Sequence, residues 1–106
     1  MGKYLLTASY TADGVKGLMK DGGTKRAEAA EQAVKSAGAK LEAFYFAFGA
    51  NDAYVLVDAP DHASIAAASL AINATGAVQT TTIVLLTPAE VDQATKKKVK
   101  YRAPGQ

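Results

Sequence analysis

An aromatic run, Phe44-Tyr45-Phe46-Ala47-Phe48, is followed by Gly49-Ala50-Asn51-Asp52 and a second apolar run from Tyr54 to Val57. Two strand-like runs joined by a short polar turn predict a β-hairpin, and the first run is apolar on both of its faces. Such a strand must be covered on both sides. The chain has 106 residues, 49% of them hydrophobic, which is room for one domain. A domain of that size still exposes about a third of its unfolded surface, so oligomer formation is a natural way to bury more.

The rest of the chain places this hairpin. Tyr4 to Tyr10 alternates with the period of a strand. Thr11-Ala12-Asp13-Gly14 reads as a turn, and Val15 to Met19 as a short helix ended by Asp21-Gly22-Gly23. Thr24 is read as the cap of a helix from Lys25 to Ala37, which Gly38 stops. Strands are expected over Leu41–Phe48 and Ala53–Ala59, and a helix capped by Asp61 over His62–Thr75. A last strand over Ala77–Thr87 and a short helix from Pro88 to Lys98 follow. The expected domain is 1–98, with a loose tail over 99–106.

Strand, helix, strand, strand, helix, strand is the order of the ferredoxin-like α+β fold, βαββαβ, in which both helices cover one face of a four-stranded antiparallel sheet. The other face is left open. Strict alternation sets Leu41, Ala43, Tyr45 and Ala47 against Phe44, Phe46 and Phe48. At roughly 25 cal/mol per Å², leaving three phenylalanines uncovered would forgo several kcal/mol, so the open face is expected to pack against a second sheet. The charge-free segment Ala63–Thr75 also suggests contact on more than one side. A homodimer, or a higher oligomer, is the expected partner state.

Lysine and arginine total 12 against 10 acidic residues, which is no nucleic-acid footprint. The aromatic strand superficially resembles an RNA-stacking strand, but it lacks the basic-glycine start of that motif. With no cysteine, disulfides, zinc thiolates, iron-sulfur ligation and thiol nucleophiles are excluded. The single histidine cannot by itself make a typical zinc site, and no motif points to a cofactor. No signal-peptide pattern or run long enough to span a membrane is found, so a cytoplasmic protein without a membrane partner is expected.

Two residues are candidates for acid-base work: Asp52 in the hairpin turn, if burial shifts its pKa, and His62, whose ordinary pKa near 6.5 suits proton transfer. Tyr10, Tyr45 and Tyr54, with Thr80 and Thr82, are candidates to line one cavity, with Asn51 at its lip. The bland alternatives are a turn aspartate, a solvated histidine and ordinary core aromatics. Lys25 and Arg26 sit at a helix N-terminus that favours an anion such as a phosphate or carboxylate, but Gly22-Gly23-Thr24-Lys25 lacks the spacing of a phosphate loop, and the two read as a solvated surface pair.

Lys3-Tyr4-Leu5, Ser9-Tyr10-Thr11-Ala12-Asp13-Gly14, Lys25-Arg26, Gly38-Ala39-Lys40-Leu41-Glu42, Phe48-Gly49-Ala50-Asn51-Asp52, Ala59-Pro60-Asp61, Gly76-Ala77-Val78-Gln79-Thr80-Thr81-Thr82 and Leu86-Thr87-Pro88-Ala89-Glu90 follow one another along the chain. In that order they resemble the GYD domain family. The resemblance implies a dimeric α/β barrel, in which two ferredoxin-like subunits set their sheets face to face. It implies no single activity; a small-molecule-binding or accessory homodimer is the leading expectation. The alternative is a metal-free enzyme, an isomerase or cofactor-independent monooxygenase. Gly49 and Asp52 match the family's hairpin, but Asn51 stands where its tyrosine is expected, so any role of that phenol does not carry over.

Overall fold

The computed structural model describes residues 2–106. In chain order it contains β1 (Gly2–Tyr10), α1 (Ala12–Asp21), α2 (Gly23–Ser36), β2 (Lys40–Phe46), β3 (Ala53–Ala59), α3 (His62–Asn73), β4 (Val78–Leu85) and α4 (Pro88–Thr95). The strands form one four-stranded antiparallel sheet in the order β2-β3-β1-β4. This is the ferredoxin-like arrangement that the order of elements predicts.

Alternation along the two central strands builds the core. Tyr4, Leu6 and Ala8 of β1 and Ala53, Val55, Val57 and Ala59 of β3 are buried on the helix-covered face. They meet Val34 of α2 and Ile65 and Ala68 of α3. Antiparallel partners share a face, so Leu5, Thr7, Tyr54, Leu56, Ile83 and Leu85 belong to the opposite one.

The hairpin departs from strict alternation. A β-bulge between Leu41 and Ala43 inserts Glu42 and reverses the phase of the strand, so that Leu41, Phe44 and Phe46 share the helix-covered face. Leu41 and Phe44 pack on the main core, and Phe46 on a smaller cluster with Ala8, Ala53 and Val78. The expectation that the phenylalanines are the bare surface is therefore corrected for Phe44 and Phe46. Phe48 lies beyond the strand's end, 65% exposed, with its ring stacked on Phe46 at 5.7 Å. It also carries a left-handed backbone, φ 55°.

Helix starts differ from expectation in an instructive way. Thr11 caps α1, its side chain accepting the Gly14 N–H, so the expected turn is the helix's first turn. Thr24 lies inside α2, whose cap is Gly22 with φ 83° and no side-chain bond. Glycine there tolerates the sharp reversal between two consecutive helices. Asp61 caps α3 as expected, accepting from Ser64 N at 2.8 Å.

Beyond β4 the chain leaves the body. Thr87 and Glu90 close a capping box on α4, with Pro88 in the first turn. Every residue from Leu86 to Gln106 is exposed. The radius of gyration, 16.9 Å, exceeds the roughly 13 Å expected of a compact chain of this length, and the longest dimension is 56 Å. The projecting arm makes the difference.

Backbone N–H bonds hold the Asp61 and Glu90 carboxyls below their ordinary pKa, through Ser64 and Thr87 respectively. A depressed folded pKa gives a contribution complete above the unfolded value, about 4, and lost as pH falls through the folded one. An eight-residue helix without packing is marginal and relies on its caps. On acidification below about pH 4, amide exchange at Glu90 is expected to accelerate before that of α3, as read by NMR.

Candidate functional site

Alanine creates the space in this molecule. α2 turns Ala29, Ala30 and Ala33 towards the sheet, and their short side chains leave a cavity of about 80 Å³ above Leu6, Ala8, Phe44 and Val55. Ile72 of α3 and Val78 of β4 complete the apolar wall. Most space between a helix and a sheet is filled at the density of an organic crystal. Longer side chains at the three alanines would fill this one.

Three polar side chains border the cavity: Tyr10, Arg26 and Thr80. Thr80 is already engaged, its hydroxyl accepting from Asn73 Nδ2 at 2.8 Å and its amide donating to Asn73 Oδ1 at 2.9 Å. Thr82 lies on the same face but meets Ser69, hydroxyl to hydroxyl at 3.2 Å, and does not line the cavity. These bonds tie α3 to the edge strand. Burial pushes the Tyr10 phenol up from its ordinary pKa, against the opposing pull of the Arg26 guanidinium. Tyr10 therefore keeps its proton at neutral pH and can donate it in a hydrogen bond.

Tyr45 and Tyr54 are cross-strand partners on the opposite face of the sheet, away from the cavity. Asn51 joins them, its Nδ2 standing 3.4 Å from the Tyr54 hydroxyl. The row Ala43, Leu56, Leu5, Ile83 crosses the same open face. At one end Lys3 Nζ bonds both oxygens of Glu42, at 2.8 and 2.9 Å, and Asp58 Oδ2 at 3.2 Å. Those partners, Glu42 before Asp58, raise the Lys3 pKa. Asp58 Oδ1 is buried there without a hydrogen-bond partner among the described residues.

Asp52 serves the backbone of the hairpin. Its Oδ2 accepts the Tyr10 N–H at 2.8 Å, its own N–H reaches Ala8 O at 2.8 Å, and its carbonyl accepts from Ala47 at 2.9 Å. His62 stands at the other end of β1, its Nδ1 2.6 Å from the hydroxyl of buried Tyr4. Tyr4 and Tyr10 mark the two ends, six residues and roughly 20 Å apart along an extended strand. Asp52 and His62 cannot meet at one substrate. Among the described residues no group of three or more His, Cys, Asp or Glu side chains is placed to hold a metal ion.

The structure thus brings two of the six sequence-derived lining residues, Tyr10 and Thr80, to the cavity and adds Arg26. The available signal was a helical stripe: Arg26, Ala29, Ala30 and Ala33 recur at i, i+3, i+4 and i+7. No helix is long and apolar enough to cross a membrane, among the described residues.

Comparison with known proteins is consistent with the fold. Neither the curated proteins nor the solved structures contain a significant match to the chain. A family model described as the GYD domain matches residues 4–95, nearly the whole body with α4, and the chain belongs to the GYD domain family.

Proposed function

We propose that the protein is a homodimer that binds a small apolar or amphipathic molecule in the cavity between α2, α3 and the sheet. The carrying observation is that cavity of about 80 Å³, with apolar walls and a polar rim. The alternative, a metal-free enzyme acting through Asp52 or His62, receives less support. Both side chains are engaged in structural hydrogen bonds, and the two lie at opposite ends of β1.

Three features of the open face support the dimer. Leu5, Leu56 and Ile83 form an apolar row on the face of the sheet opposite the helix-covered core. A buried carboxylate oxygen without a partner, Asp58 Oδ1, fits a face that is completed from outside. The arm carries Val91, Val99 and Tyr101 exposed, well away from the body. Two copies set sheet to sheet, as in a dimeric α/β barrel, would bury these surfaces. A cytoplasmic location is part of the same reading.

Native mass spectrometry of the untagged protein, purified gently from its own host, tests both halves. A dimer carrying a reproducible extra mass is expected. A monomer at working concentration would end the dimer proposal, and a dimer that binds none of a panel of small apolar molecules would end the cavity proposal. Ala30→Leu supplies an independent check, because it fills the void from above. It is expected to stabilise the free protein by about 1 kcal/mol in chemical denaturation and to abolish ligand retention. Destabilisation would mean that the space is not there to fill.

A further inference from the structure

The cavity has one charged side chain on its border, and that side chain also faces outward. Arg26 lines the inner cavity and two adjoining surface cavities of about 190 and 210 Å³, one towards α1 and one between α2 and α3. It therefore stands where the interior opens to solvent. Among the described residues its guanidinium makes one ion pair, Nη1 to Asp21 Oδ2 at 3.7 Å, which is beyond hydrogen-bonding distance, and it also lies close enough to the Tyr10 phenol to act on it. A guanidinium presents five N–H donors in a planar fork, so most of this donor capacity remains for a ligand. Asp52, the acid nearest the Tyr10 end, has Oδ2 committed to the Tyr10 amide. Asp13 borders only the outer cavity on the α1 side.

Building on the cavity reading above, we propose that the ligand is an apolar monocarboxylate. Its acid group meets the Arg26 fork and the Tyr10 hydroxyl, while its hydrocarbon end lies among Ala29, Ala30 and Phe44. A carboxylate matches the fork in plane and spacing, with two parallel N–H···O bonds. A phosphomonoester would bring a second negative charge, and among the described residues no second cation lines the inner cavity. An amine would place like charge against Arg26 in apolar surroundings, where water cannot screen it. The tail is limited to a short alkyl chain or a single ring by the 80 Å³ available.

Hexanoate and its neutral isostere hexanamide separate the headgroup from the cavity. Their affinities are measured by calorimetry, with NMR to locate the perturbed residues, on the intact protein and on Arg26→Gln, Arg26→Lys, Tyr10→Phe and Ala30→Leu. Hexanoate is expected to bind the intact protein about tenfold or more tighter than hexanamide. Arg26→Gln removes that preference and leaves hexanamide within about twofold, Arg26→Lys restores part of it, and Tyr10→Phe weakens hexanoate selectively. Ala30→Leu weakens both ligands. Equal affinities for acid and amide in the intact protein, or an acid preference that survives Arg26→Gln, would overturn the carboxylate assignment while the cavity stands. Hexanoate binding that ignores Ala30→Leu would place the acid elsewhere and also overturn it. Binding of neither molecule would remove the cavity reading and this assignment with it.

Discussion

Gly14→Ala is expected to destabilise the protein by about 2–4 kcal/mol, lowering the thermal midpoint by roughly 10–20 °C. A Cβ at Gly14 would stand 1.9 Å from the carbonyl oxygen of Ala77. That oxygen is not free to move, because it accepts from Thr11 N at 2.9 Å and lies 3.3 Å from the Thr11 hydroxyl. Thr11 is also the cap of α1, so the clash displaces the cap, the helix start and the approach to β4 together. Gly17, one turn further along the same helix, has nothing within 4 Å of the corresponding position. Gly17→Ala is therefore expected to stabilise by about 0.5–1 kcal/mol through helix propensity alone. Chemical denaturation of the pair gives opposite signs for one chemical change in one helix. Equal behaviour of the two variants would contradict the close approach of α1 to the strand.

If the proposed dimer pairs the open sheet faces, Leu56→Glu is expected to leave a folded monomer. Leu56 is paired with Leu5 on one side and Ala43 on the other, in the middle row of the open face. In a two-fold sheet-to-sheet dimer the substitution places two carboxylates in one apolar interface. An unpaired buried charge costs about 3–5 kcal/mol, which weakens association by at least about a hundredfold. Sedimentation velocity measures the association, and far-UV circular dichroism confirms that the subunit remains folded. A variant that still dimerises at the original concentration would require a different face to carry the contact.

Much of the fold could be read before any coordinates. Tyr4 to Tyr10 announces β1 because a two-residue period needs no knowledge of the neighbours, and Asp61 and Pro88 announce helix starts because their chemistry is local. The misreadings concern information held by another segment. The phase reversal at Glu42 exists only relative to β3, so Leu41 and Phe44 cannot be placed on one face from the strand's own pattern. Thr11 to Gly14 has the composition of a turn; it becomes a helix start because the Ala77 carbonyl is there to receive Thr11. Arg26 reads as half of a solvated pair with Lys25 because Gly22-Gly23-Thr24-Lys25 lacks phosphate-loop spacing, but a helix turns by 100° per residue and the two side chains face different surroundings. Tyr45 and Tyr54 are expected to line the cavity with Tyr10, but which side of the sheet they occupy depends on helices elsewhere in the chain, and the structure puts both on the open face.

The arm beyond Leu85 has a consequence for how the sequence can change over time. Its residues are exposed and the body's core contains none of them, so substitutions there leave the stability of the βαββαβ body nearly untouched. In the proposed dimer, selection on the arm is selection on what it touches in the partner subunit. Related chains are expected to drift in length and charge beyond α4, where the family match ends, while keeping Gly14 and the cavity alanines, and in the proposed dimer such drift would uncouple two chains without either losing its fold.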